Sequence, residues 1–133
     1  MPNAAGYSGT PLPRKLGIKA GSTLLLVNAP ADFARTLGPL PDNVRVVTRA
    51  TRPVDIAVWF VTSCREIDRS IAKAATWAQG LWVAWPKKTS GVDTDVNENL
   101  VRDAGLAHGI VDYKVCAIDA TWSGLKFAKR RIK

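Results

Sequence analysis

The stretch that decides the fold is Leu81-Trp-Val-Ala-Trp-Pro-Lys-Lys-Thr-Ser-Gly-Val-Asp-Thr-Asp95, followed by a segment with helical spacing up to Ala107. Its first five residues are all apolar, as in a strand that is covered on both faces. Pro86 ends the strand, and a loop with two lysines leads towards the helix. In open α/β sheets, ligands bind beyond the carboxyl ends of the strands. The stretch therefore predicts a buried strand and a candidate site in the loop that follows it.

Apolar runs and helical patterns alternate along the rest of the chain. The apolar runs predict strands over Thr23–Val27, Val44–Val47, Asp55–Val61, Leu81–Trp85, Ile110–Asp119 and Leu125–Ala128. Helical periodicity predicts a short helix around Phe33 and Leu37, and a long helix over Cys64–Gln79 that the capping box of Ser63 and Glu66 opens. A further helix follows Asp95, and its predicted buried face consists of Val96, Leu100, Ala104 and Ala107.

The order of these elements, β-α-β-β-α-β-α-β-β, predicts the fold class. Apolar strands that alternate with amphipathic helices form a three-layer α/β sandwich with a mainly parallel, Rossmann-like sheet, here of five to six strands. Gly124, in a short polar turn between the last two runs, predicts a C-terminal antiparallel hairpin. No helical pattern joins the second strand to the third.

A chain of 133 residues has the length of one domain. Residues 1–22 are rich in proline and glycine, which predicts an irregular N-terminal arm with one helical turn at Pro13–Leu16. Residues 23–129 form the predicted α/β domain, and residues 130–133 form a basic tail.

The composition, 47% hydrophobic and 23% charged, is typical of a globular protein. No apolar run approaches the roughly 20 residues that a membrane-spanning helix needs, and the N-terminus lacks the features of a secretory signal. Cys64 and Cys116 are too few for a disulfide framework. We therefore expect a cytoplasmic protein with reduced thiols and no membrane partner.

The net charge of +8 results from 19 lysines and arginines against 11 acidic residues. Five of these cations lie in the last eight residues: Lys126, Lys129, Arg130, Arg131 and Lys133. Such a tail binds polyanions such as nucleic acid, or it is simply solvated.

Four motifs stand out: Tyr7-Ser-Gly-Thr-Pro-Leu12 with Lys15-Leu-Gly-Ile-Lys19, Asn28-Ala-Pro30, Trp85-Pro-Lys-Lys88, and Asp112-Tyr-Lys-Val-Cys-Ala-Ile-Asp-Ala-Thr-Trp-Ser-Gly-Leu-Lys-Phe127. Together they resemble a bacterial family of small proteins that is classed only as a domain of unknown function. The resemblance covers nearly the whole chain. It implies a stand-alone bacterial domain and provides no catalytic residues to carry over.

The candidate site is built from Lys87, Lys88, Ser90 and Gly91, with Asn28 from the end of the first strand. Cationic groups, a hydroxyl and an accessible backbone at a helix N-terminus suit a phosphate or carboxylate. The loop matches neither the phosphate-binding Gly-x-x-x-x-Gly-Lys-Ser/Thr pattern nor Gly-x-Gly-x-x-Gly, so no cofactor is expected. The favoured function is a module that binds an anionic small molecule, rather than an enzyme.

Other interpretations remain open. Asp93 and Asp95 can cap the helix and pair with the lysines, which would leave the loop solvated. A nucleic-acid-associated protein would use the basic tail and Trp122 in the hairpin, while Trp85 beside the lysine loop either stacks on a ligand or packs under the loop.

Cys64 is the candidate nucleophile of an alternative enzyme, because a helix N-terminus lowers the pKa of a thiol. The Cys-x5-Arg pattern of phosphatases is missing, since Ser70 occupies the arginine position and Arg69 lies one residue short. His108 is the only histidine, so no metal site is expected. The sequence leaves the oligomeric state open.

Overall fold

The computed structural model describes residues 10–129. Within this range it has the strands β1 (Thr23–Val27), β2 (Arg45–Val47), β3 (Val54–Phe60), β4 (Ala78–Pro86), β5 (Ile110–Ala117) and β6 (Trp122–Lys129). The α-helices are α1 (Leu12–Leu16), α2 (Phe33–Leu37), α3 (Cys64–Ala74) and α4 (Glu98–Ala107). Residues 1–9 of the predicted arm and the basic tail 130–133 lie outside the described residues.

The strands form one sheet in the order β2-β1-β3-β4-β6-β5. Strands β1 to β4 are parallel, whereas β6 is antiparallel to both of its neighbours, β4 and β5. The predicted α/β class, with a mainly parallel Rossmann-like sheet and a C-terminal antiparallel hairpin, is confirmed. No helix that the structure describes has the length and apolar character to cross a membrane.

The sheet is covered on both faces, which accounts for the continuous apolar runs of β3 and β4. On one face, which we call the α3/α4 face, Ala57, Leu81 and Leu125 pack with side chains of α3 and α4. On the opposite face, the α1/α2 face, Trp82 lies in one buried cluster with residues of α1 and α2, including Leu16. Residues 48–53 join the carboxyl end of β2 to the amino end of β3 without a helix, as the sequence predicts, and we call this segment the strap.

The side chain of Trp82 connects the central strand to the N-terminal helix. Trp82 is 0% exposed, and its indole N–H donates to the carbonyl oxygen of Leu16 at 2.9 Å. The Nζ of Lys126 donates to the same oxygen at 3.3 Å and lies 5.7 Å from the centre of a Trp82 ring. Gly17, in the left-handed conformation with φ of 85°, ends α1 next to this contact. A buried indole N–H without a partner would be costly, so this hydrogen bond fixes where α1 lies on the sheet.

The structure corrects the predicted ends of two helices. Helix α3 ends at Ala74 instead of Gln79, because strand β4 already begins at Ala78, whose side chain is buried in the sheet. Helix α4 begins at Glu98, and its N-cap is Asn97, whose side chain accepts a hydrogen bond from Leu100 N–H at 3.0 Å.

The predicted buried face of the last helix is right for Val96 and Ala104, which pack in the core, and wrong for Leu100 and Ala107. Leu100 is 41% exposed, whereas Val101 and Gly105 face the sheet. A side chain at position 105 would collide with the ring of Phe127, so glycine is the residue that allows α4 to approach β6.

The predicted hairpin turn lies three residues too late in the chain. Gly124 belongs to β6, and residues 118–121 connect the two strands. A side chain on Gly124 would lie about 3.0 Å from Ile118 and 3.1 Å from Trp82, so this glycine provides room for packing and not a turn. Asp119 closes the connection by accepting hydrogen bonds from the N–H groups of Thr121 and Trp122, both at 2.8 Å.

We expect Gly105→Ala to destabilise the protein by about 2 kcal/mol, because the added methyl group overpacks the contact with Phe127. This corresponds to a fall of roughly 8 °C in Tm, measured by thermal denaturation. The matched control is Gly105→Ala combined with Phe127→Leu, in which the smaller side chain makes room. If the two substitutions destabilise additively, the collision is not the cause.

Candidate functional site

The polar groups at the carboxyl ends of the strands lie where the order of the sheet reverses. The chain continues from β1 to β2 on one side of β1, and β3 lies on its other side. In Rossmann-like sheets this switch point is the place where ligands bind. Asn28 follows β1 directly, is exposed, and adopts the left-handed conformation with φ of 60°. Asp32 is the N-cap residue of α2, but its side chain makes no capping hydrogen bond.

The N-terminus of α3, next to this point, is occupied by the protein's own carboxylates. Ser63 and Glu66 form the predicted capping box, with Ser63 Oγ accepting from Glu66 N–H at 3.2 Å and Glu66 Oε1 accepting from Ser63 N–H at 3.1 Å. Asp95 reaches over from the loop before α4, and its Oδ1 accepts from Cys64 N–H at 2.8 Å. Thr94 Oγ1 donates to the carbonyl oxygen of Thr62 at 2.7 Å. The N–H groups of Ser63, Cys64 and Glu66 are therefore already paired within the protein and are not free for an external anion.

The environment of Cys64 is opposite to the one that a nucleophile needs. Its Sγ donates to the backbone carbonyl oxygen of Asp95 at 3.2 Å. Its pKa is raised by burial, and also by the hydrogen bond to Asp95 and the charges of Asp95 and Asp68. The pKa of Asp95 is lowered, chiefly because its carboxylate accepts the Cys64 N–H. The thiol is thus kept protonated, and this geometry gives no support to an enzyme that uses Cys64 as nucleophile.

The predicted lysine loop forms a short 3₁₀ turn over Lys88–Ser90. Ser90 Oγ donates to the carbonyl oxygen of Lys87 at 2.7 Å and accepts from Val92 N–H, so its hydroxyl closes the turn. Gly91 follows with φ of 83°. Lys88 is exposed and Lys87 is half-buried.

The structure does not bring Asn28 together with the lysine loop. The strands that carry them, β1 and β4, are separated by β3, which corresponds to a lateral distance of about 10 Å. The alternative in which Asp93 and Asp95 pair with the lysines is not observed either. The ion pairs among the described residues are those of Arg102 with Glu98 and with Asp112.

Lys126 and Lys129, counted above with the tail cations, are part of strand β6. Lys126 is half-buried between the rings of Trp82 and Tyr113, each centred 5.7 Å from its Nζ. Its pKa is lowered by burial first and then by the charges of Lys114 and Lys19. Part of the excess charge therefore belongs to the folded α1/α2 face and not to a tail.

Of the two tryptophans considered as stacking platforms, Trp85 is buried and Trp122 is partly buried against the core. Trp85 is 6% exposed and belongs to the core of the α3/α4 face. Trp122 packs edge-on against Phe60, with ring centres 5.0 Å apart. No cluster of three potential metal-ligating side chains occurs between residues 10 and 129.

The structure also has a cleft that the sequence analysis did not predict. It has a volume of about 550 Å³ and lies between the strap and the strands, at the amino end of the sheet. Three arginines line it, Arg45, Arg49 and Arg52, together with Asp55 and Gln79. Their side chains converge only through strand register and the path of the strap, so no local motif in the sequence marks this cleft.

Comparison with solved structures finds the same Rossmann-like architecture in proteins of low sequence identity. No family model and no curated protein matches the chain. Among solved structures, a SAM-dependent methyltransferase from Aquifex aeolicus superposes with a TM-score of 0.54 and 15% identity, over 86% of this chain and 85% of that one. A magnesium protoporphyrin IX methyltransferase from Synechocystis with bound SAH gives 0.54 and 11%, over 84% and 75%. A protein of the NADB-Rossmann superfamily from Streptococcus agalactiae gives 0.56 and 11%, over 92% and 68%.

These neighbours overturn two predictions: a module that only binds an anionic small molecule, and a protein that is not an enzyme. The proteins that share the architecture include enzymes that transfer a methyl group. At these identities the likeness defines the fold, so the activity itself is a matter for a proposal.

We expect Asp95→Asn to lower the Tm at neutral pH, because it removes the charge that caps α3. The folded pKa of Asp95 lies below its ordinary value, so its contribution to stability is present above about pH 4 and is lost as the pH falls through that lower pKa. Thermal denaturation from neutral to acidic pH measures the effect, and the variant and the wild type should converge in acid.

The same variant should speed the labelling of Cys64 by iodoacetamide, since Asp95 raises the pKa of the thiol. Asp93→Asn is the matched control, because Asp93 is an exposed carboxylate in the same loop. Equal effects of the two variants would show that general loop charge, and not the capping contact, is responsible.

Proposed function

We propose that the protein is a SAM-dependent methyltransferase whose cofactor binds at the carboxyl ends of β1 and β3. The observation that carries the proposal is the Rossmann-like sheet with its switch point beside Asn28 and Asp32, two polar side chains at the position where ligands of such sheets bind. The likeness of the fold to methyltransferases supports the choice of cofactor.

The loop after β1 is compatible with this cofactor and unsuited to a dinucleotide. Its sequence, Asn28-Ala-Pro-Ala-Asp32, lacks the glycines with which Rossmann proteins hold a pyrophosphate. SAM carries no phosphate, so its binding does not require such a loop. Ala29 and Ala31 are small, and the left-handed Asn28 provides the sharp turn that glycine provides elsewhere.

We assign the contacts with the nucleoside to Asn28 and Asp32. An amide both donates and accepts hydrogen bonds, and a carboxylate accepts from two hydroxyl groups, as a ribose requires. Many dinucleotide-binding proteins place this carboxylate at the end of the second strand, but here Thr48 and Arg49 follow β2. Asp32 is the exposed carboxylate nearest in sequence to the end of β1, and it forms no ion pair among the described residues.

When bound, SAM supplies an electrophilic methyl group on a sulfonium centre. Asn28 and Asp32 would hold its nucleoside, while the carboxylates that cap α3 occupy N–H groups at the neighbouring helix end. The raised pKa of Cys64 keeps its thiol protonated and thus unsuited to accept the methyl group itself.

We expect SAH to stabilise the protein in a thermal-shift assay and to bind in isothermal titration calorimetry. At 100 times its Kd, the stabilisation is about 2.7 kcal/mol. Asp32→Asn should weaken SAH binding roughly tenfold or more, because it removes a charged acceptor. NAD should not bind, since its pyrophosphate has no glycine-rich loop to receive it.

The control for this variant is Asp42→Asn, which removes another exposed carboxylate at the opposite, amino end of β2. Equal weakening by the two variants would assign the effect to overall charge. Failure of the wild type to bind either SAH or SAM at millimolar concentration would refute the proposal.

A further inference from the structure

A row of polar side chains crosses the sheet at the amino ends of the parallel strands. Thr23 is paired with Arg45, and the register of the neighbouring strands continues the row through Asp55, Gln79 and Lys129. Each of these residues lies two positions from a residue of the α3/α4 core, namely Leu25, Val47, Ala57, Leu81 and Phe127. Because side chains alternate between the faces of a strand, Thr23, Arg45 and Lys129 lie on the α3/α4 face. Asp55 and Gln79 line the same cleft as Thr23 and Arg45.

Three adjoining clefts follow this row and share Pro53 of the strap. Their volumes are about 550, 230 and 260 Å³. The first contains the arginines, the second contains Trp77, and the third ends at Lys129. We call them together the arginine groove. Since the row spans four gaps between neighbouring strands, the groove is about 19 Å long, too long for one small anion.

Most of the charged side chains along the groove are positive, and its arginines have no acidic partner among the described residues. Arg45, Arg49 and Arg52 are exposed and make no ion pair with any described residue. The one carboxylate, Asp55, already accepts a hydrogen bond from Thr23 N–H at 2.8 Å. Guanidinium groups bind phosphate oxygens through two parallel hydrogen bonds, which makes arginine the residue of choice for a phosphodiester backbone.

The groove also contains an aromatic side chain. Trp77 lines the second of these clefts with Arg52 and Pro53. Its ring packs edge-on against Trp59, with ring centres 5.5 Å apart. This contact holds the indole in place while leaving it partly exposed. Sites for single-stranded nucleic acid combine a cationic track for the backbone with an aromatic ring on which a base stacks.

We propose that the arginine groove binds single-stranded nucleic acid, with phosphodiesters on Arg45, Arg49 and Arg52 and a base on Trp77. A base-paired duplex cannot stack an unpaired base, so it should bind more weakly. The proposal rests on the groove alone and holds whether or not the protein binds SAM. Lys129 lies at one end of the groove, and in the sequence it is followed by residues 130–133, three of which are basic.

The test is fluorescence anisotropy with a labelled oligoribonucleotide of about 12 nucleotides, and with single-stranded and duplex DNA of the same sequence. Affinity is measured between about 50 and 200 mM salt. We expect Arg45→Gln/Arg49→Gln/Arg52→Gln to weaken binding by an order of magnitude or more. Its plot of log affinity against log salt should be shallower by about 2, because three phosphate contacts are lost.

The matched control is Arg14→Gln/Lys19→Gln/Arg35→Gln, which removes three exposed cations outside the groove. A second control, Arg130→Gln/Arg131→Gln/Lys133→Gln, removes the cations of the tail in the full-length chain. Both control variants should retain most of the affinity, apart from the small loss that removal of their charges causes. Both should also keep the preference for single strands over duplex.

The proposal is overturned if wild type binds no oligonucleotide at low salt, or if either control loses as much affinity as the groove variant. Tighter binding of the duplex than of the single strand would also reject it. SAH binding, measured in the same variants, reports separately on the methyltransferase proposal, so the failure of one is distinguishable from the failure of the other.

Discussion

The structure depends on the burial of β4 on both of its faces. Trp82, Val83 and Ala84 are completely buried, because α3 and α4 cover one side of the sheet while α1 and α2 cover the other. This burial stabilises the sheet because it removes apolar surface from water. It also requires a hydrogen-bond partner for the indole N–H of Trp82, since a buried N–H without a partner is costly. The carbonyl oxygen of Leu16 meets that need and so ties the short helix α1 to the middle of the sheet. A helix of five residues would not be stable by itself, and its position follows from this contact.

Some polar groups at the carboxyl ends of the strands form structural hydrogen bonds, whereas others are exposed and available to a ligand. Glu66 and Asp95 satisfy the N–H groups at the start of α3, and Thr94 fastens the loop before α4 to the end of β3. An anion would have to displace carboxylates that are already hydrogen-bonded, which explains physically why this part of the rim is a poor anion site. Asn28 and Asp32, after β1, are exposed instead. The proposed cofactor site therefore lies on the side of the switch point that the protein's own capping contacts leave open.

The positive charge of the protein is distributed over separate surfaces with different physical roles. On the α1/α2 face, Lys126 is half-buried, donates to a backbone carbonyl and lies against aromatic rings, so it acts in packing. On the α3/α4 face, the arginines of the groove remain exposed because the strap crosses from β2 to β3 without a helix to cover them. The short connection thus accounts for the groove: a helix in that crossover would fill the space that the strap leaves open. The proposed methyl-transfer site and the proposed nucleic-acid groove lie at opposite ends of the sheet.

The sequence by itself determined the fold class, because continuous apolar runs and helical periods are local patterns that burial imposes on each element. It also determined the capping box of Ser63 and Glu66, since four adjacent residues suffice for that motif. Only the tertiary structure decided that Gly105 and Gly124 make room for packing, that Asp95 caps α3 instead of α4, and that β6 lies between β4 and β5. The arginine groove was also decided by the tertiary structure, because only the register of five strands brings Arg45 and Lys129 into one row. Contacts between residues distant in sequence depend on strand order and register, which no local pattern encodes.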